Sequence, residues 1–154
     1  MINRIDLSIV ICTFNRIKSL QKALNSLLNS NVGEHFVYEI LIVDNNSNDN
    51  TREIIKEEEK RNSSIHYLFV KTQGLSYARN FGFTKAKGEY IAYIDDDCIV
   101  PTDWIREVQN IICENNPDIF GGPYIPYYIT KKPKWYKDDY GSFMQGKFPS
   151  SKGG

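Results

Sequence analysis

Apolar positions along the chain fall into short runs that alternate with helically spaced stripes. Residues 7–12 (L-S-I-V-I-C), 38–43, 65–70 and 90–94 are β-branched or aromatic runs of strand length, and each predicts a strand. After the first, Leu20, Leu24, Leu27 and Leu28 sit at i, i+4, i+7 and i+8, one face of a helix that residues 31–33 break. Asn50 with Glu53 three residues later resembles a capping box and opens a helix over 51–61, whose charged surface leaves a narrow apolar face. A further helix is expected over 77–87, stopped by Gly88 at the position a helix C-terminus favours. Pro101 starts the last helix, with Trp104, Ile105, Val108, Ile111 and Ile112 as its stripe. Pro117 ends it, and 118–120 predicts a short fifth strand before Gly121-Gly122-Pro123.

Strands alternating with helices of this length imply an α/β fold with a Rossmann-like, doubly wound, mostly parallel sheet and right-handed crossovers. In such a sheet the carboxyl ends of the strands share one edge, where ligands of open α/β sheets bind. Thr13, Asp44, Gln73-Gly74 and Asp95 to Asp97 each follow a strand end. Residues far apart in sequence are therefore expected to converge on one crevice.

Residues 124–154 differ in kind: Tyr, Trp and Phe side chains are interleaved with Lys, Pro and Gly, without a clear period. So many aromatics suit a cover over the crevice or a surface for protein beyond this stretch. Truncation is expected, and the division is 1–123 as the α/β domain and 124–154 as the incomplete start of another region.

Charge refines the picture little. Lys and Arg number 19 and Asp and Glu 19, so the net charge is zero, which gives no electrostatic case for a nucleic-acid partner. Six Lys against Asp138 and Asp139 give residues 124–154 a surplus of four, so the α/β portion is acidic. Cys12, Cys98 and Cys113 are odd in number, widely spaced and without a C-x-x-C, which suits reduced thiols in the cytoplasm. The run at 7–12 is too short to cross a bilayer.

The chemistry concentrates at 88–101, G-E-Y-I-A-Y-I-D-D-D-C-I-V-P. A strand expected to be buried on both faces runs straight into Asp95, Asp96 and Asp97. Three adjacent carboxylates repel one another and lose hydration if buried, so a cation, hydrogen-bond donors or solvent must compensate them. Carboxylates are hard ligands suited to Mg²⁺ or Mn²⁺, which commonly bridge them to substrate phosphates. A solvated turn is the alternative; apolar residues on both sides of the triplet argue against it.

In order and spacing, S-I-V-I-C-T-F-N-R, I-L-I-V-D-N-N-S-N-D-N-T, G-L-S-Y-A-R-N-F-G-F-T-K-A-K-G-E-Y-I-A-Y-I-D-D-D and G-G-P resemble the family 2 glycosyltransferases of the GT-A fold, over about residues 7–123. The resemblance implies transfer of a sugar, with inversion, from a nucleotide-diphosphate donor (uridine by family habit) to a glycan or glycoconjugate acceptor, assisted by Mn²⁺ or Mg²⁺. It implies that Asp44 pairs with the nucleobase, that Thr13 and Asn15 line base and ribose, and that Arg79 lies near the diphosphate. Gly74 would let the backbone approach the nucleotide, and Gly121-Gly122 would leave room for the sugars. Asp95 and Asp97 frame the D-x-D pattern, with Asp97 the metal ligand and Asp96 the ribose or donor-sugar contact. A cytoplasmic location, at the membrane's inner face through peripheral association of the full-length enzyme, follows by the same route.

The sequence departs from the family at the general base, which is expected in a downstream E-D motif that is absent here. Asp118, Asp138 and Asp139 are the only acidic residues after Glu114. The chain is therefore expected to bind donor but to turn over poorly alone. Two rivals remain: a non-catalytic module of the same fold, and a nucleotidyltransferase, which would need a Gly- and Lys/Arg-rich loop that residues 13–16 do not supply.

Overall fold

The computed structural model describes residues 4–123 together with Ile125, Lys131, Lys134 and Trp135. The chain divides into two compact units, Met1–Asn115 and Asn116–Gly154. In the first, β1 (Leu7–Thr13), α1 (Ile17–Leu28), β2 (Tyr38–Asp44), α2 (Thr51–Arg61), β3 (Ile65–Phe69), α3 (Leu75–Lys85), β4 (Tyr90–Asp95) and α4 (Trp104–Asn115) follow one another. Among the described residues the sheet has four strands, all parallel, in the order β3-β2-β1-β4.

The core follows from period-two alternation in β1 and β2. Val10, Leu41 and Val43 face α3 and pack with its Ala78, joined by the half-buried Cys12, Leu68, Phe81 and Ile91. Ile9, Ile11, Ile40 and Ile42 point to the opposite face and are fully buried. Right-handed crossovers put α1 and α2 on that face, and the buried α1 positions Leu20, Ala23, Leu24 and Leu27 form its contact stripe. Gly82 of α3 has no room to be larger, because an added Cβ would lie 2.5 Å from Val10 Cγ1.

A buried polar network ties the amino ends of the strands together. Glu39, 2% exposed, accepts hydrogen bonds at Oε1 from the Ser8 hydroxyl (2.6 Å) and the Lys87 N–H (2.8 Å). The Gly88 N–H donates to Ser8 Oγ at 2.8 Å. The α3–β4 turn is thereby fixed onto β1 and β2, which sets where β4 begins.

Several expectations are corrected. Helix α3 starts and ends earlier than 77–87, and its C-cap is Ala86 in an extended conformation. Gly88 does not cap it: an added Cβ there would lie 2.4 Å from Ser8 N and 2.7 Å from Leu7 C. Close approach of two backbones, not a left-handed turn, demands this glycine. Strand β4 is not buried on both faces; its residues are half-buried or exposed, with Tyr93 45% exposed. It pairs only with β1 among the described residues, so it has a neighbour on one side where full burial needs two.

The fifth strand at 118–120 does not form: three residues between Pro117 and a Gly-Gly pair gain no described partner strand, and Ile119 is 89% exposed. Helix α4 starts at Trp104 after a turn closed by the Trp104 N–H on the Pro101 carbonyl. Asn50 makes no side-chain cap bond to α2. Asp49 does that work, accepting at Oδ1 from the Thr51 N–H and hydroxyl and at Oδ2 from the Ile17 N–H. One carboxylate thus serves the first turns of both α1 and α2, where negative charge is favoured.

Two outcomes are expected. Gly88→Ala should lower stability by about 1–3 kcal/mol through backbone overpacking, read as a reduced urea midpoint; an unchanged midpoint would contradict the close approach. The second concerns pH. Burial pushes the Asp49 carboxyl up, but the hydrogen bonds from Thr51 and Ile17 outweigh this and hold it below its usual value. Its contribution is therefore complete above the unfolded pKa of about 3.9 and is lost as pH falls through the lower folded value. The stability advantage of the wild type over Asp49→Asn should shrink on acidification from pH 7 to about pH 3, and an advantage that stays constant would refute the assignment.

Candidate functional site

The carboxyl ends of the strands form one rim. Strand register places Thr13 beside Asp44, Asp44 beside Phe69 and Cys12 beside Asp95. A cavity of about 550 Å³ opens at this rim. Four segments wall it: Cys12 to Phe14 with Arg16, Asn45, Gln73 to Leu75 with the first turns of α3, and Asp95 to Asp97.

Each segment is held by identifiable bonds. The β4 strand ends in a turn closed by the Cys98 N–H on the Asp95 carbonyl at 3.1 Å. This turn buries Asp96 (5% exposed) and leaves Asp95 and Asp97 exposed. The Thr13 hydroxyl donates to Asp96 Oδ2 at 2.7 Å, and Arg16 Nη1 donates to Asp96 Oδ1 and Asp97 Oδ2, each at 3.0 Å. Arg79 Nη2 lies 3.3 Å from Asp95 Oδ1. Two guanidiniums and one hydroxyl therefore compensate the three carboxylates. The bonds to Asp96 first, then those to Asp97, hold Arg16 even more firmly protonated than an ordinary arginine.

Asn45, 6% exposed, fixes the opposite wall. Its Nδ2 donates to the Thr72 carbonyl at 2.7 Å, and its Oδ1 accepts the Gly74 N–H at 2.7 Å. Gly74 adopts φ 137° as the N-cap of α3, a conformation side chains disfavour. Gly74 has no side chain to cap α3, and the first turn carries no acidic residue; with Gly74 and Leu75 lining the cavity, the positive end of the helix dipole lies at its wall. Burial pushes the Cys12 thiol up to about 11, with Arg79 opposing and Asp95 and Asp96 adding to the rise. Cys12 is thus a neutral wall at ordinary pH, not a nucleophile.

Of the residues singled out from the sequence, Thr13, Gly74, Arg79, Asp95, Asp96 and Asp97 line this cavity. Asp44 does not. It is 1% exposed, with Oδ2 accepting from the Tyr67 hydroxyl at 2.7 Å and Oδ1 from the Ser47 N–H at 2.9 Å. Burial, and then this bond to Asp44, raise the Tyr67 phenol above its usual range, so Tyr67 stays a neutral donor. Asn15 also lies off the cavity wall. Held at φ 54°, it joins the β1–α1 and β2–α2 turns, its N–H donating to Ser47 Oγ (3.0 Å) and its Oδ1 accepting the Asn48 N–H (2.7 Å). Among the described residues a Cβ added at Gly121 or Gly122 would meet nothing within 4 Å. Asp118 is exposed, while Asp138 and Asp139 lie outside the described residues.

Sequence reasoning passed over Arg16 and Asn45. The charge of the acidic triplet was a signal for Arg16, since three carboxylates at one rim require cations from neighbouring turns. Asn45 was hidden inside N-N-S-N-D-N, where every residue reads as a turn former. Asp95, Asp97 and Cys98 bring one ligand atom each to within 4.8 Å of one another. The two carboxylates at that spacing could hold a single divalent cation, whereas burial pushes the Cys98 thiol above its usual value and makes it a poor ligand.

The chain's sequence and fold have counterparts among known proteins. The chain matches the family model described as Glycosyl transferase family 2 over residues 8–152. It is 31% identical over 116 residues to the glycosyltransferase AglE of Haloferax volcanii, covering 75% of this chain and 38% of that protein. It is 33% identical over 117 residues to the GalNAc(5)-diNAcBac-PP-undecaprenol beta-1,3-glucosyltransferase of Campylobacter jejuni, covering 75% of this chain and 37% of that one. Among solved structures it resembles S. aureus TarS 1–349 in complex with UDP-GlcNAc, with a TM-score of 0.63 and 25% identity over 73% of this chain and 32% of that chain. The mannosyltransferase PcManGT from Pyrobaculum calidifontis, in complex with GDP-Man and Mn²⁺, shares the fold at a TM-score of 0.57 and 19% identity, over 64% of this chain and 29% of that one. The chain thus spans 38% or less of the length of these four proteins. The sheet is that of the GT-A structures it matches, and the chain belongs to glycosyl transferase family 2.

Proposed function

We propose that this chain is the donor-binding part of an inverting, metal-assisted glycosyltransferase that takes a sugar from a nucleotide diphosphate, with uridine as the nucleoside, to a glycan or glycoconjugate acceptor. One observation carries the reading: a single cavity brings two exposed carboxylates, two guanidiniums and an open helix N-terminus to the same rim. Anionic phosphates satisfy the guanidiniums and the helix end, and a divalent cation satisfies the carboxylates. A nucleoside diphosphate with a metal ion supplies both.

Asp97 and Asp95 would hold the ion. When bound, such an ion acts as a Lewis acid that offsets charge on the departing diphosphate. The remaining work belongs to the chain's own groups. Arg79 and Arg16 orient the phosphates through planar donor sets. Gly74 keeps a side chain away from the approach to α3. Asp96 anchors Arg16 from below, and Thr13 fixes Asp96. Asp44 recognises the nucleobase if a uracil imide N–H takes the place of the Tyr67 hydroxyl on its carboxylate. TarS, crystallised with UDP-GlcNAc, supports uridine, and PcManGT, crystallised with Mn²⁺, supports a divalent ion in this fold.

Titration calorimetry with UDP and UDP-sugars, with and without Mn²⁺, tests the reading directly. UDP should bind, and Mn²⁺ should tighten it; no binding under either condition would sink the proposal. Asp97→Ala should remove the metal-dependent part of the affinity, about 1.4 kcal/mol for each tenfold enhancement by Mn²⁺, and an unchanged metal effect would exclude Asp97 as ligand. Asp44→Asn should leave the metal effect intact but erase the preference for UDP over CDP, because an amide can donate to the cytosine N3 acceptor. A preference that survives in this variant would place base recognition elsewhere.

A further inference from the structure

We propose that Arg16 is an exchangeable counter-cation, which occupies Asp97 until a nucleotide diphosphate draws it away and so makes divalent-cation binding depend on nucleotide. The inference rests on the donor-binding reading and adds an order of events to it.

One nitrogen of Arg16, Nη1, bridges two carboxylates, 3.0 Å from Asp96 Oδ1 and 3.0 Å from Asp97 Oδ2. The two carboxylates are not equivalent. The Asp96 side chain is 7% exposed and also accepts from Thr13 at 2.7 Å, so it is a fixed post. The Asp97 side chain is 51% exposed, and among the described residues Arg16 is its one side-chain partner given by the hydrogen bonds and ion pairs. Arg16 itself has a side chain 55% exposed, so the guanidinium can leave Asp97 toward the cavity without displacing packed atoms. Asp97 is therefore the half of the bridge that opens.

Asp97 also belongs to the carboxylate pair that could hold a cation. A metal ion and a guanidinium on one carboxylate carry like charge, so each weakens the hold of the other. A diphosphate reverses the balance. It offers the guanidinium a second anion of matching geometry, and it offers the ion additional oxygen ligands. Arg79 stands in a similar relation to Asp95 on the other flank, 3.3 Å away, so the cavity keeps one guanidinium if Arg16 is removed. Linkage requires that any factor by which nucleotide tightens metal binding equals the factor by which metal tightens nucleotide binding. Part of that factor comes from direct attraction between ion and phosphate. The rest comes from the release of Asp97 by Arg16.

The experiment is a four-way calorimetric cycle, with Mn²⁺ alone, UDP alone and each in the presence of the other, on the wild type, Arg16→Gln and Arg16→Lys. Arg16→Gln should bind Mn²⁺ alone more tightly, by about fivefold or more. The same variant should bind UDP alone more weakly, and its mutual enhancement should shrink. Arg16→Lys, whose ammonium can also bridge two carboxylates, should keep the wild-type affinity for Mn²⁺ alone, while its loss of the planar donor set weakens UDP binding. A merely structural Arg16 predicts the opposite sign, a loss of Mn²⁺ affinity in Arg16→Gln, and unchanged or weaker Mn²⁺ binding there overturns the proposal. The wild type alone supplies an arm that needs no variant: Mn²⁺ binding equally tight with and without UDP also overturns it. Failure of the wild type to bind UDP under any condition would instead remove the donor-binding reading beneath it.

Discussion

Cys12 faces Asp95 across two parallel strands, and that register is the constraint from which the rim is built. One residue further on, the Thr13 hydroxyl meets Asp96; three residues beyond that, Arg16 meets both Asp96 and Asp97. A slip of one position would turn every side chain of β4 to the opposite face. Asp95 would then leave the cavity, and Ile91 would leave the apolar layer it shares with Val10 and Ala78. The register is set at the other end of the sheet. There the buried Glu39 and Ser8 bind the Lys87 and Gly88 N–H groups in a polar knot that fixes the first residue of β4. Chemistry at one edge of the sheet thus depends on hydrogen bonds at the other.

That knot is electrically unusual. Among the described residues the buried Glu39 Oε2 has no hydrogen-bond partner, while the half-exposed His66 ring lies 3.7 Å away. A buried carboxylate is costly unless its oxygens are satisfied, and here one oxygen is fully engaged and the other is not. Asp96 is buried to a similar degree, but both its oxygens accept hydrogen bonds. The comparison explains the different uses of the two groups. Asp96 can serve as a fixed post for the Arg16 guanidinium because both its oxygens are held. Glu39 ties three segments together through a single oxygen.

Much of the fold could be read from periodicity. Among the described residues, β1, α1, β2, α2 and β3 stand close to where their patterns put them, while α3 and α4 are shifted by two or three residues. The failures share a cause. Gly88 read as a helix cap because local propensity cannot see Ser8 and Leu7 eighty residues earlier. The strand at 90–94 read as fully buried because an apolar run reports side-chain character and says nothing about which strand lies beside it. Asn50 read as the α2 cap, yet Asp49 binds both α1 and α2, a link across 32 residues that no window contains. At the rim, the acidic triplet announced a need for positive charge. Which cation met it depended on the strand order β2-β1-β4, which places the β1 turn against the β4 turn. Alternation alone does not supply that order.

The division of labour within Asp95, Asp96 and Asp97 follows from the same geometry. Asp95 ends the strand, and the turn closed by the Cys98 N–H on its carbonyl places Asp96 and Asp97. The outer pair stays exposed, and the middle residue is buried against β1. Energetics then separate them further. Parting an exposed ion pair costs about 0–1 kcal/mol, whereas the buried Asp96 carboxylate has more to lose from a missing partner because less water can replace it. Arg16 is held on its Asp96 side and loosely tethered on its Asp97 side, although both distances are 3.0 Å. Equal lengths conceal unequal strengths, and it is the inequality that leaves Asp97 available to a ligand while the arginine stays within reach of the cavity.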